Sequence, residues 1–267
     1  MNNSDLKYFK KWFSDYCKSF YSSNMEDQRT MSLKIKHTHN VCRNIIQIAG
    51  EEQLSQNKIM LAETIALFHD IGRFIQYKKY KTFNDSISAN HGRLGAEVLK
   101  QEGVLHNLPE NEQKLIVNTV RLHNAFRLPK QKNTENMLFL KLIRDADKLD
   151  IWRVFDEYYE SSVSERASVA IHGLPDTPEY SSKILSGIFE EKAASLKDIK
   201  TLNDFKLMQL SWIYDLNFKT SYGLLLERNY IKKITAKLPK TDEIKRISAS
   251  LREFVSKKFR SAGKSID

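Results

Sequence analysis

The sequence predicts an all-α fold, and three observations support this class. Apolar residues recur at spacings of three and four along most of the 267 residues, which is the period of a helix with one buried face. No segment shows the strict alternation of a strand with one exposed face. No glycine-rich phosphate loop of the GxGxxG or GxxxxGKS type occurs, which argues against a nucleotide-binding parallel sheet. We therefore expect a helical bundle.

The predicted helices follow this periodicity and end at glycine, proline or polar clusters. They cover residues 5–22, 31–49, 57–69, 91–101, 110–124, 137–167, 180–196, 203–235 and 242–260. The segments 72–90 and 124–136 are predicted as loops. His106 and His172 also lie in loop contexts with glycine and proline, and we assign them no role.

Composition indicates an ordinary globular protein. Hydrophobic residues make up 41% of the chain, enough for a sizeable core, and no stretch approaches the roughly 20 apolar residues of a membrane span. The N-terminal segment has no apolar core of the signal-peptide type, so we expect a cytoplasmic protein. The two cysteines, Cys17 and Cys42, form neither a disulfide framework nor a CxxC pair.

Positive charge is concentrated at the C-terminal end. The formal net charge is +10, and residues 216–267 hold 13 lysines and arginines against 5 acidic residues. Such a segment is usually the solvated face of amphipathic helices. It could also attract nucleic acid or an acidic membrane surface, because a positive patch raises the local concentration of anions. Both interpretations remain open at this stage.

A His-Asp pair closes one of the most apolar predicted helices. His69 and Asp70 follow the apolar segment 59–68 and precede Ile71-Gly72, a plausible helix stop. This position places an imidazole and a carboxylate at the buried end of a core helix. Because burying an unpaired carboxylate is costly, a cation is expected beside it, and a metal ion would suffice.

Three other predicted helices each place one potential metal ligand on their apolar face. His91 begins the first pattern, His123 ends the second, and Asp147 shares a face with Leu140 and Ile143. A single buried histidine is more often a satisfied core residue than a ligand. Because three helices repeat the arrangement, the joint pattern predicts one metal site in the core.

At these motifs the sequence resembles the HD superfamily of metal-dependent phosphohydrolases. That family combines a histidine in a His-Ser/Thr-x-x-Val helix, a His-Asp pair and a distant Ala-Asp-x-Leu-Asp segment, which match residues 37–41, 69–70 and 146–150. Periodicity alone does not decide between His37 and His39, since residues two apart face nearly opposite directions. The resemblance selects His37, and likewise Asp147 over its neighbour two residues earlier. It spans residues 31–155.

The resemblance implies a ligand set and a fold. His91 and His123 stand where binuclear branches of the family carry additional ligands, and His91-Gly-Arg-Leu-Gly-Ala looks closer to the hydrolases of dinucleoside polyphosphates than to the cyclic dinucleotide phosphodiesterases. Two divalent ions are implied, with Mn or Fe expected and Mg, Ni, Co or Zn as alternatives. Asp70 would bridge them. The predicted ligands are His37, His69, Asp70, His91, His123 and Asp147.

The implied activity is hydrolysis of a small anionic phosphate ester or anhydride, of a nucleotide or dinucleotide, by a metal-activated hydroxide. Asp70, Arg73 and Lys148 are the predicted catalytic residues, the last two as cations near a bound phosphate. The aromatic and basic cluster at residues 77–81 could hold a base and its phosphates, or be an exposed loop. Substrate specificity is expected from the two loops and the helices after residue 150.

Two rival functions remain. Some proteins with this ligand pattern are di-iron oxygenases, which the ligands themselves hardly distinguish. The other rival is a nucleic-acid-binding module with a structural metal site and basic C-terminal helices. For domain organisation we expect a single HD-type domain over residues 1–267, with a metal-binding helical core at 31–155 and a helical C-terminal elaboration at 156–267 packed on the same core.

Overall fold

A computed structural model describes residues 1–128, 134–161 and 174–261. In these ranges the secondary structure is helical and no strand occurs, so the predicted all-α class is confirmed. The helices are α1 Asn3–Lys18, α2 Met25–Glu51, α3 Gln56–Phe68, α4 Gly72–Tyr80, α5 His91–Gln101, α6 Glu110–Leu122, α7 Thr134–Glu160, α8 Ser182–Phe189, α9 Leu202–Ser211, α10 Lys219–Glu227, α11 Tyr230–Ala236 and α12 Asp242–Ser261. Over the described residues, none of these helices is both long and apolar enough to cross a bilayer.

The chain divides into two compact units, Met1–Asp150 and Ile151–Asp267. The first contains α1 to α6 and the N-terminal part of α7, and the second contains the rest of α7 and all later helices. The expectation of a single domain with one continuous core stays a prediction.

Helix α3 lies at the centre of the first unit. Every residue from Met60 to Phe68 is buried, which is typical of a helix that is apolar on all sides. It contacts α1, α2 and α6, and Phe9 of α1 meets Phe68 edge to face with 5.7 Å between ring centroids. Asn44 of α2 anchors α7 by donating to the carbonyl of Ala146 over 3.0 Å. The His-Asp pair therefore begins where a fully buried helix ends.

Helix α4 was not predicted, because its first residue, Gly72, was interpreted as a helix stop. The structure gives this glycine a different role. A Cβ atom added there would lie 2.2 Å from the carbonyl oxygen of His91 and 2.5 Å from the nitrogen of Gly95. Gly72 is thus required by the close approach of α4 to α5, and Phe74 and Tyr77 form the buried face that the loop prediction missed.

We expect the substitution Gly72→Ala to destabilise the protein by about 1–3 kcal/mol or more, because the added methyl group meets backbone atoms that cannot easily move. Gly50→Ala is the matched control. No atom lies within 4 Å of a Cβ added at Gly50 in α2, so this exchange should stabilise the protein by about 0.5–1 kcal/mol. Urea unfolding measures both values. Equal stabilities of the two variants would contradict this packing argument.

The predicted helix over residues 203–235 is wrong, since the structure has three helices there. A 3₁₀ segment at Trp212–Asp215 ends α9 and is followed by extended backbone at Leu216. Asn229 adopts the left-handed conformation with φ 56° and separates α10 from α11. Apolar spacing continues across both breaks, so periodicity could not detect them.

Two other helix predictions are changed. Helix α8 ends at Phe189 rather than at residue 196, and Glu191 follows it with φ 57°. Helix α7 extends to Glu160, and the remaining predicted residues 162–167 lie outside the part of the chain that the structure describes. His172 lies outside it as well.

The second unit has its own apolar core. Phe155, Leu202, Phe205 and Met208 form one buried cluster. Helix α12 buries a row of apolar residues at three- and four-residue spacing and contacts α8, α10 and α11, while its lysines and arginines are exposed. The basic residues of α12 therefore form an outward face, as the periodicity predicted.

Candidate metal centre

The six predicted ligands meet in the first unit, although they come from different helices. His37 lies in the middle of α2, His69 and Asp70 follow α3, and His91 begins α5. His123 follows the last residue of α6, and Asp147 lies in α7. The four histidines and Asp70 are buried. The fold thus gathers residues separated by up to 110 positions into one cluster.

The two carboxylate oxygens of Asp70 face two different pairs of histidines. Oδ2 lies 3.6 Å from Nε2 of His37 and 3.7 Å from Nε2 of His69. Oδ1 lies 3.4 Å from Nε2 of His91 and 3.9 Å from Nε2 of His123. Asp70 is therefore placed between two groups of ligand atoms, which is the position of a bridging carboxylate.

Each group brings its own donor atoms together. In the first group, His37, His69 and Asp147, the Nε2 atoms of the histidines are 3.3 Å apart and Nε2 of His37 lies 3.1 Å from Oδ1 of Asp147. In the second group, His91 and His123, the Nε2 atoms are 3.1 Å apart. One ligand atom from each of His37, His69 and Asp70 lies within 4.8 Å of the other two. The same holds for Asp70, His91 and His123.

The hydrogen bond that Nδ1 of a histidine ring makes away from the cluster determines whether Nε2 has a lone pair facing the cluster. His69 Nδ1 donates to the carbonyl of Ala66 and His123 Nδ1 to that of Val120, each over 2.7 Å. Because a carbonyl oxygen only accepts, the proton of each neutral ring lies on Nδ1. The Nε2 lone pairs are then left facing the cluster.

The other two rings are oriented by carboxylates. Asp150 Oδ2 accepts from Nδ1 of His37 and Asp85 Oδ2 from Nδ1 of His91, each over 2.7 Å. This carboxylate–histidine arrangement is typical of metal-binding imidazoles, since it fixes the ring and raises its basicity. Imidazole nitrogens that face one another beside two carboxylates are donors that first-row divalent metal ions take. The donor set therefore fits metal ions.

Residues 35–152 match the family model of the HD domain, a range that includes all six predicted ligands. The resemblance of this part of the chain to the HD superfamily is thereby confirmed. No curated protein and no solved structure matches the chain. HD domains are generally hydrolases.

Of the two histidines that periodicity left open, the structure brings His37 into the cluster of the HD domain. His39 is exposed on the opposite side of α2, and its ring lies 5.9 Å from that of Phe13. The resemblance and the geometry therefore favour the same histidine.

Burial and neighbouring charges set the protonation of the second group and of Asp70. Burial is the main cause that lowers the pKa values of His91 and His123 to about 4, so both rings are neutral at pH 7. Burial alone would raise the pKa of Asp70, yet the positive charges of Lys34 and Arg73 help to hold it well below its usual range. Neutral imidazoles and an ionised carboxylate are the forms that bind metal.

Of the two predicted cations, Arg73 contacts the cluster. Arg73 Nε lies 3.5 Å from Oδ1 of Asp70, and its Nη1 lies within hydrogen-bond distance of Gln76, Phe83 and Asp85. Lys148 is buried next to Asp147 in α7. Their contact with a substrate phosphate stays a prediction.

Three further residues of the site were not identified in the sequence. Lys34 donates to Oδ2 of Asp70 over 2.7 Å, and its position three residues before His37 on α2 was an available signal. Asp150 is the last residue of the Ala-Asp-x-Leu-Asp motif. Asp85 lies in a polar segment without periodicity, so no signal in the sequence connected it to His91.

Proposed function

We propose that this protein is a metal-dependent phosphohydrolase that acts on a phosphate ester or anhydride of a nucleotide or dinucleotide at a centre of two metal ions. The observation that carries the proposal is the position of Asp70, whose two oxygens face two separate histidine pairs. A mononuclear site would need only the first group and Asp70. The HD domain, a family typical of metal-dependent phosphohydrolases, supports the same class.

The donor set supports the kind of ion. Six nitrogen and oxygen donors without a thiolate suit Mn, Fe or another first-row divalent ion rather than structural zinc. The first group and Asp70 would hold one ion, and the second group and Asp70 the other. When bound, two such ions activate water and stabilise negative charge on a phosphoryl group.

Around these ions the protein would orient the ligands, exclude water and supply positive charge. The four histidine side chains are at most 6% exposed, whereas Asp147, the most exposed of the six predicted ligands, is 21% exposed. Lys34 and Arg73 remain partly exposed beside Asp70. Both cations are placed to offset the charge of a phosphate that approaches the cluster.

The test is metal analysis of protein purified without chelator, followed by a phosphate-release screen over nucleotides, dinucleotides and sugar phosphates. We expect about two ions per chain, as in other two-metal phosphohydrolases, and release that a chelator abolishes. Oxygen consumption with a mixed-valence iron signal and no phosphate release would favour the oxygenase. Salt-dependent nucleic-acid binding without turnover would favour the binding module.

The first group predicts a pH-dependent metal affinity. Burial and the charge of Lys34 act to lower the pKa of His37, but hydrogen bonds to Asp147 and Asp150 raise it to about 9. Below that pH an incoming ion must displace the His37 proton, so metal affinity should rise about tenfold per pH unit and level off near pH 9. Competition with a chelator between pH 6.5 and 9.5 measures this slope. An affinity independent of pH would show that His37 is not a ligand.

A further inference from the structure

Asp85 lies outside the ligand cluster and accepts four side-chain hydrogen bonds beside it. Its Oδ2 accepts from Nδ1 of His91 over 2.7 Å and from Nδ2 of Asn124 over 3.0 Å. Its Oδ1 accepts from Nη1 of Arg73 and Nε2 of Gln76, each over 2.9 Å. Four donors thus surround one carboxylate that comes from the segment between α4 and α5.

These donors connect Asp85 to His91 and, through Arg73, to Asp70. His91 is bonded directly, and Asn124 directly follows His123 in the chain. Arg73 connects Asp85 to Asp70, because its Nε lies 3.5 Å from Oδ1, the oxygen that faces the second group. Asp85 therefore supports His91 directly and, through Arg73, the Asp70 oxygen turned towards the second group, whereas the Val120 carbonyl holds His123.

The first group is oriented by other atoms. Asp150 bonds Nδ1 of His37, and the carbonyl of Ala66 bonds Nδ1 of His69. The two halves of the cluster thus have separate supports, which allows one to be weakened without the other. Gly92, the second residue of α5, packs closely against Asn124, since a Cβ added there would lie 2.8 Å from Oδ1 of Asn124. The start of α5 is packed directly against the residue that Asp85 binds.

We propose that Asp85 is the positioning residue for the second metal ion and determines whether the HD domain holds one ion or two. Its carboxylate keeps the His91 proton on Nδ1 and the ring turned so that Nε2 meets His123. Without it the ring is free to rotate, and loss of such an outer partner typically costs about 10–100-fold in metal affinity. The inference rests on the proposed function only in taking the second group and Asp70 as ligands.

The experiment compares Asp85→Asn with Asp150→Asn, two isosteric exchanges that each remove one supporting charge. The probe is Mn²⁺ alone, and its binding is measured by equilibrium titration and by electron paramagnetic resonance. Wild type should bind two ions and show an exchange-coupled signal. Asp85→Asn should raise the Kd of one ion about 10–100-fold and give the six-line signal of isolated Mn²⁺. Asp150→Asn should weaken the ion of the first group.

A second pair of variants identifies which ion Asp85 supports. In protein that carries His91→Ala and His123→Ala, adding Asp85→Asn should change the Kd of the remaining ion less than about twofold, because the residue that Asp85 supports is already absent. In protein that carries His37→Ala, adding Asp85→Asn should raise the Kd of the remaining ion about 10–100-fold, as in the single variant. Thermal unfolding of each metal-free variant checks that the fold is retained.

The outcomes separate this inference from the proposed function. Two ions with unchanged Kd values and a coupled signal in Asp85→Asn would overturn the inference, as would equal weakening of both ions. A wild type that binds two ions and releases phosphate from no substrate would refute the proposed function and leave the role of Asp85 intact. A wild type that binds a single ion would contradict both.

Discussion

Replacing Asp70 with alanine should remove both metal ions and abolish phosphate release. Asp70 is the only described residue with one oxygen turned to each histidine pair, at 3.6 and 3.7 Å on one side and 3.4 and 3.9 Å on the other. Its loss weakens the hold on both ions at once. We expect a larger effect than the roughly 10–100-fold typical of losing an outer hydrogen-bond partner. Metal content by mass spectrometry and the rate of phosphate release measure it.

The matched control is Asp15→Ala, since Asp15 is an exposed carboxylate on α1 that pairs with Lys11 and Lys18. This exchange should leave metal content and turnover unchanged. Asp70→Asn tests the charge without changing the size of the side chain, and it should also lose metal. Normal turnover in Asp70→Ala would rule out the bridging role.

The combined substitution His91→Ala and His123→Ala should remove one metal ion and retain the other. The remaining ion is expected at His37, His69 and Asp147. The two histidines face Asp70 Oδ2 and Asp147 lies beside His37, so these contacts do not involve the second group. Phosphate release should fall by at least about a hundredfold, because the transition state loses one of two stabilising ions.

The mirrored variant, His37→Ala with His69→Ala, provides the comparison. It should retain one ion at the second group and should also lack phosphate release. If the His91 and His123 double variant retains both ions, the assigned ligand set is wrong. If it loses both ions while the mirrored variant loses only one, the two groups do not bind independently.

Periodicity predicted most of the helices because most of them have one continuous buried face. The bounds of α5, His91–Gln101, agree with the predicted range 91–101. The inward direction of His91, His123 and Asp147 followed from the same spacing, so the convergence of these side chains was expected once the helices formed one bundle. Their contacts with Asp70 needed only that convergence.

Features that depend on tertiary contact were not predictable in this way. Gly72 has the same local signature whether it ends a helix or allows two helices to approach, and only its 2.2 Å distance to the His91 carbonyl distinguishes the two. The apolar spacing continues across Asn229, although the φ angle of this residue is 56°. Both errors came from interpreting local sequence where packing decides.

The supports of the metal cluster were missed for the same reason. Lys34 reaches Asp70 across 36 residues, and Asp150 reaches His37 across 113. Asp85 is close to His91 in the chain, but it lies in a segment where neither periodicity nor a motif marks one polar residue above the others. Ligand residue types are visible in a sequence, whereas the contacts that orient them are visible only in the fold.

The central claim, a two-ion phosphohydrolase, is tested most directly by measuring phosphate release while Mn²⁺ is titrated into metal-free protein. The substrates are those nucleotides, dinucleotides and sugar phosphates that the wild-type protein hydrolyses, or the whole panel if none is yet known. We predict that release reaches its maximum only when two ions are bound per chain. Maximal release with one ion bound would contradict the two-ion centre, and no release from any substrate with two ions bound would contradict hydrolysis itself.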